Sequence, residues 1–154
     1  MTNNDILRRL RYCFNYNNHK MLKVFDAAKV RQASTAEFKE WLKRDDEDGY
    51  KAMKDVDFAT FLNGLINFLR GERDGYEPIA ETKLDNNLIF RKLKIALNLK
   101  SDDILDILKL ADFRLSEHEL SALFRNPQHR HYRICKDQVL RNFLVGLQAK
   151  MRQA

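Results

Sequence analysis

The chain has 154 residues, 44% hydrophobic and 32% charged, with 28 Lys and Arg against 22 Asp and Glu for a formal net charge of +6. That is enough sequence for one sizeable core or two small abutting ones, and no apolar run approaches the roughly 20 residues a membrane-spanning helix needs. Met1-Thr2-Asn3-Asn4-Asp5 lacks the basic-then-apolar layout of a secretory signal, so a cytoplasmic protein is expected.

Gly and Pro are scarce and apolar residues recur at helical spacing nearly throughout, which predicts an all-α chain. Helix one is expected over about 5–15, with Asn3 or Asn4 as its cap and Ile6, Leu7, Leu10, Cys13 and Phe14 as its buried stripe. Helix two follows over roughly 20–29. Helix three starts at a capping box, Ser34-Thr35-Ala36-Glu37. Helix four is the strongest periodic element, carrying Phe58, Phe61, Leu62, Leu65, Ile66 and Leu69 at i, i+3, i+4, i+7, i+8 and i+11, with Asp55 as N-cap candidate. A polar, turn-rich segment from Gly71 through Arg73, Asp74, Gly75, Tyr76 and Glu77 to Pro78 then breaks the pattern.

After that break the pattern starts again. Asn3-Asn4, Ile6, Arg8, Leu10 and Asn15 recur as Asn86-Asn87, Ile89, Arg91, Leu93 and Asn98. After a one-residue slip, Ser34, Glu37, Tyr50, Lys54-Asp55, Phe61-Leu62 and Gly64-Leu65 recur as Ser116, Glu119, Tyr132, Lys136-Asp137, Phe143-Leu144 and Gly146-Leu147. So many identities in one order mark an internal duplication. The second copy of helix one presents Ile89, Phe90, Leu93, Ala96 and Leu97 as its stripe, and the later copies are expected over 102–111 with Ser101 as cap, from Ser116 onward, and along Leu140, Phe143, Leu144, Leu147 and Met151, with Asp137 as the last cap. The expected architecture is two pseudo-symmetric repeats of about four helices each, 1–70 and 86–154, joined by a linker at 71–85 and packed as a compact helical bundle.

The repeats annotate each other. Gly64 and Gly146 stand mid-helix at equivalent positions, where glycine costs about 1 kcal/mol relative to alanine. A close helix crossing is the expected reason, with the two fourth helices as the candidate pair and simple retention from a common ancestor as the alternative. Cys13 aligns with Ala96 and Cys135 with Met53, so both thiols are expected to be buried packing groups rather than a disulfide or reactive sites.

The loops after the third helices have opposite charge. Asp45, Asp46, Glu47 and Asp48 precede Tyr50, whereas His129, Arg130 and His131 precede Tyr132, with Arg133 following. Complementary potentials steer and register interfaces, so these ten residues are candidates for docking a protein partner or a second copy, against the plainer reading of solvated loops. A calcium loop does not fit, because Gly49 in the glycine position puts Arg44 first and Asp55 at the bidentate glutamate. The basic balance raises nucleic acid as the alternative partner. Arg8, Arg11, Arg91 and Lys94 recur on the first helix of each repeat, where the wheel puts Arg8 and Arg91 opposite the apolar stripe as possible phosphate contacts.

Catalysis has less behind it. The four histidines include no i, i+4 pair, the two cysteines are far apart, and no phosphate-cradling or nucleophile-elbow motif occurs. His129 and His131 are the candidates for carrying a proton or a switch, against the plainer reading of solvated side chains in a basic loop. No catalytic residue, cofactor or metal is expected.

The Asn-Asn start of each repeat, the run from Trp41 to Tyr50, the segment Phe61-Leu62-Asn63-Gly64-Leu65-Ile66, and the stretches Leu93-Lys94-Ile95-Ala96 and Leu99 to Leu105 together resemble the YehS-like bacterial proteins. The resemblance covers nearly the whole chain. It implies a cytoplasmic bacterial protein made of two copies of a domain of unknown function, with no catalytic residues to carry over. It also marks the acidic loop and the Phe-Leu-Asn-Gly-Leu segment as the places to look for function.

Overall fold

The computed structural model describes residues 1–72 and 78–152. Among them are eight α-helices and no strand: α1 (Asn3–Phe14), α2 (Asn18–Asp26), α3 (Thr35–Leu42), α4 (Asp55–Arg70), α5 (Asn86–Ala96), α6 (Ser101–Leu110), α7 (Glu117–Leu123) and α8 (Asp137–Arg152). They fall into two units, Met1–Leu84 and Asp85–Ala154, each holding four helices in the same order. Of the expected linker, Arg73, Asp74, Gly75, Tyr76 and Glu77 lie outside the described residues. Its end belongs to folded structure, since the Leu84 N–H donates to Asp55 Oδ2 at 2.8 Å and Asp85 is the N-cap of α5.

Each unit has its own apolar core. In the first, Leu7 and Leu10 of α1, Met21, Val24 and Phe25 of α2, Phe38 and Trp41 of α3, and Phe58, Phe61 and Leu65 of α4 are fully buried. Phe25, Phe38 and Trp41 meet with ring centroids 5.6–6.0 Å apart. In the second unit Leu108, Leu120 and Leu123 fill those three positions, and the aromatic contacts move to Phe90, which lies 4.7 Å from Phe143 and 5.1 Å from Phe124. The apolar period thus specifies the fold while the individual side chains differ. Leu69 and Phe68 in the last turns of α4 are 38% exposed, because this sixteen-residue helix outruns the nine-residue α2 it packs on.

The two mid-helix glycines do mark close crossings, but within each unit rather than between fourth helices. A Cβ on Gly64 would stand 2.0 Å from the Val24 carbonyl oxygen of α2, and one on Gly146 would stand 1.9 Å from the Ile107 carbonyl oxygen of α6. Helix two lies directly against helix four in both copies. The other duplicated detail is at helix ends: Asn15 and Asn98 take φ of 55° and 52°, and Lys29 and Asp112 take 59° and 54°. Asparagine tolerates this left-handed conformation better than most residues, which gives the recurring Asn15/Asn98 a backbone role.

The caps differ from expectation. Thr2, not Asn3 or Asn4, caps α1, its hydroxyl accepting from the Asp5 N–H at 3.1 Å; Asp85 caps α5 in the same way at 2.8 Å. Asp55 and Asp137 are first residues of their helices rather than N-caps, and Ser101 likewise opens α6 behind Lys100. The capping box is complete at Ser116 and Glu119 but only half-formed at Ser34, which accepts the Glu37 N–H. Glu37 turns instead to Lys51 and Arg31, at 2.8 and 3.0 Å, and these cations hold its carboxyl below the usual carboxylate range.

Candidate functional site

The asparagines that do not cap are buried. Asn4 lies one turn before Leu7 on the apolar face of α1, and only 1% of it is exposed. Its Nδ2 donates to the carbonyls of Trp41 and Lys51, each at 2.9 Å, and its Oδ1 accepts from the Met53 N–H at 2.9 Å and the Tyr50 hydroxyl at 3.3 Å. Beside it, Asn3 Nδ2 donates to the Met53 carbonyl at 3.0 Å and to Asp55 Oδ1 at 2.7 Å. One dipeptide therefore grips the end of α3, the exit of the acidic loop and the start of α4.

The second unit repeats the clamp almost bond for bond. Asn87 Nδ2 donates to the Leu123 and Arg133 carbonyls at 3.0 and 2.8 Å, and its Oδ1 accepts from the Cys135 N–H at 2.9 Å. Asn86 Nδ2 donates to the Cys135 carbonyl at 3.0 Å and to Asp137 Oδ1 at 2.7 Å, a bond that helps hold Asp137 below the usual carboxylate range. Sequence reading misses this clamp. The available signal was the helical register, since Asn4 and Asn87 fall three residues before Leu7 and Phe90 on the buried stripe.

Two of the four candidate phosphate-contacting residues belong to the same assembly, which corrects their placement on a free solvent face. Arg8 Nη1 donates to the Lys43 carbonyl at 2.8 Å, and Arg91 Nη2 donates to the Phe124 carbonyl at 3.0 Å. Lys43 and Phe124 are the C-cap residues of α3 and α7, where unpaired carbonyls and the helix dipole favour a cation. Arg8 is also paired with Asp5. Lys94 Nζ lies 5.4 Å from the Phe124 ring centroid, and of the four only Arg11 is exposed, the other three being half-buried.

The clamped loops share one backbone course. In the first, the Glu47 N–H donates to the Arg44 carbonyl, Tyr50 to Glu47, and Lys51 back to Glu40; in the second, His129 donates to Asn126, Tyr132 to His129, and Arg133 back to Ala122. Onto this common frame the sequence places opposite charge. Asp45, Asp46, Glu47 and Asp48 are exposed, as are His129, Arg130, His131 and Arg133, whereas Tyr50 and Tyr132 are half-buried where the loops turn inward. Burial, with Asp85 nearby, raises the Tyr132 phenol above its ordinary range. In the basic loop His129 Nδ1 accepts from the His131 N–H at 3.0 Å and His131 Nε2 accepts from Arg130 Nε at 3.1 Å. Between Glu119 and Asp137 there is no acidic residue, and residues 85–154 hold 13 of the 28 Lys and Arg but only eight of the 22 Asp and Glu. The excess positive charge thus sits mainly in the second repeat.

Both thiols are buried, Cys13 2% and Cys135 1% exposed, and unpaired with each other. Burial pushes the Cys135 thiol up to about 12. Native protein at pH 8 should therefore resist alkylation at both cysteines, while denatured protein reacts at both, read by intact mass; rapid native labelling would contradict the burial. Because unfolding exposes a thiol of ordinary acidity, Cys135 also makes stability fall as pH rises above about 9. Among the described residues no group of three or more His, Cys, Asp or Glu is placed to hold a metal ion, and no helix is long and apolar enough to cross a membrane.

A family model described as "Protein of unknown function (DUF1456)" matches twice, over residues 3–71 and 86–153, reproducing the duplication. The "Uncharacterized protein YehS" of Escherichia coli strain K12 is 40% identical over 151 residues, covering 97% of this chain and 96% of that protein. No solved structure matches. With a family model spanning both repeats and a relative aligned almost end to end, the chain belongs to the DUF1456 family.

Proposed function

We propose that this protein acts in the cytoplasm by binding a protein partner through the two charged loops, and not by catalysis. The observation that carries this reading is the asparagine clamp: in both repeats a buried amide holds a loop of the same shape, and only the exposed side chains differ, in sign. A loop fixed before binding loses little conformational freedom on docking, so its affinity is not offset by ordering. Its charge then sets which partners approach and in what register.

The test is recovery of partners with Asp45, Asp46, Glu47 and Asp48 changed to Lys. Solvated charges contribute little to stability, so the variant should stay helical by circular dichroism. Partner recovery should fall at least tenfold, measured by quantitative mass spectrometry of nuclease-treated pull-downs from the native host. Unchanged recovery by a folded variant would remove the reading. Recovery abolished by nuclease alone would transfer it to nucleic acid, for which the phosphate-contacting set now rests on Arg11 and Lys94, since Arg8 and Arg91 already serve helix ends.

A further inference from the structure

We infer that the acidic loop of one molecule docks against the basic loop of a second copy, so that the chain self-associates head to tail. This rests on the docking reading above and names the partner. Among the described residues the side chains of Asp45, Asp46 and Asp48 take no hydrogen bond and no ion pair, and Glu47 accepts only from the Arg44 backbone N–H, at 2.9 Å. On the other loop, Arg125, Arg130, Arg133 and Lys136 face no carboxylate within ion-pair distance among the described residues of their own unit. Their side-chain contacts are Arg125 to the Ser121 hydroxyl at 3.4 Å, Arg130 to His131 at 3.1 Å, and Arg133 to the Tyr132 and Arg130 carbonyls at 3.0 and 3.4 Å. One chain thus carries both halves of an ionic contact, each on a clamped backbone of the same course, and neither half is satisfied within its own unit.

The exposed apolar side chain at the end of the basic loop fits the same occupant. Ile134 is 75% exposed beside Arg133, and the equivalent Ala52 leaves an exposed small side chain at the exit of the acidic loop. A large apolar group facing a small one inside a ring of opposite charges gives the contact an apolar centre as well as a charged rim. Because the two surfaces differ, the contact is heterologous: it closes into a ring if the rotation permits and otherwise extends.

Sedimentation of the full chain tests this. At about 0.01 M ionic strength, where charges are screened only beyond roughly 30 Å, the average mass should rise above 18.3 kDa as protein concentration increases. At about 0.5 M, where screening reaches down to roughly 4 Å, it should return to the monomer. Two reversed chains sharpen the result: one with Asp45, Asp46, Glu47 and Asp48 changed to Lys, the other with Arg125, Arg130 and Arg133 changed to Glu. Each alone should stay monomeric, because both of its loops then carry one sign, and an equimolar mixture should associate again, because each chain's loops meet loops of opposite charge on the other. If either reversed chain loses helicity, the neutral versions, with Asn and Gln in place of the acids or Gln in place of the arginines, are compared with wild type and should each lower the low-salt average mass. A wild type that stays monomeric at low salt, or a mixture of folded reversed chains that does not pair, overturns self-association. The docking reading itself survives that outcome if the acidic-loop variant still loses a partner in the pull-down, and fails with it if recovery is unchanged.

Discussion

Gly146→Ala will destabilise the second repeat, although alanine is the better helix former by about 1 kcal/mol. The reason is the carbonyl oxygen of Ile107, 1.9 Å from where the new Cβ would stand, with the carbonyl carbon at 2.8 Å and Ile107 Cγ2 at 3.1 Å. A flexible side chain could swing away, but here a backbone carbonyl is in the path, so α6 and α8 must separate. Overpacking of this kind costs about 3 kcal/mol at the upper end of its usual range, which leaves a net loss of about 2 kcal/mol after the gain in propensity. Gly64→Ala should behave alike, since Val24 O and C lie at 2.0 and 3.0 Å. Urea denaturation of the single variants measures both. A stabilised Gly146→Ala would mean that propensity outweighs contact and that the helices are further apart than described.

Asn4→Ala is expected to cost more, about 3 to 5 kcal/mol. Removing the amide strands the buried Met53 N–H and Trp41 carbonyl, while water can reach the part-buried Lys51 carbonyl. Each unsatisfied buried group costs about 1–3 kcal/mol, and a total near 4 kcal/mol is a large fraction of the 5–15 kcal/mol that holds a typical domain together. Asn4→Asp is predicted to be no better, because a carboxylate still accepts from Met53 but has no N–H to donate and sets a negative oxygen against the Trp41 and Lys51 carbonyl oxygens. Asn87→Ala should repeat the loss at Leu123, Arg133 and Cys135. Asn3→Ala and Asn86→Ala, whose bonds lie nearer solvent, should cost only about 1 kcal/mol. An Asn4→Ala protein within about half a kcal/mol of wild type would contradict the clamp.

These two sites show what was legible in the sequence. Apolar period and duplication place the helices and the buried Phe61, Leu65, Phe143 and Leu147 correctly, because those signals are local and each repeat checks the other. The pair of glycines announces a close crossing but not its partner, which comes from a helix about forty residues away. Asn3 and Asn4 read as caps because asparagine favours that position, yet their bonds run to residues 37 to 52 positions along the chain, and no local pattern reports those. Arg8 and Arg91 were misplaced for a related reason. A helical wheel separates polar from apolar but does not distinguish a solvated guanidinium from one that reaches a neighbouring helix end. The loop charges, by contrast, were fully legible, and the structure adds that both loops hang on one frame.

Each charged loop is built before any partner arrives, held by the asparagine at the start of its repeat. Amide hydrogen exchange of the isolated protein tests it at the two N–H groups that donate to the clamps, Met53 and Cys135. Both should exchange slowly in the wild type, as slowly as core amides of α4 and α8, and at least a hundredfold faster at Met53 alone in Asn4→Ala and at Cys135 alone in Asn87→Ala, under conditions where both variants remain folded. Exchange of Met53 and Cys135 in the wild type at the rate of the exposed loop residues would show that the loops are not held, and the account would fail at its base.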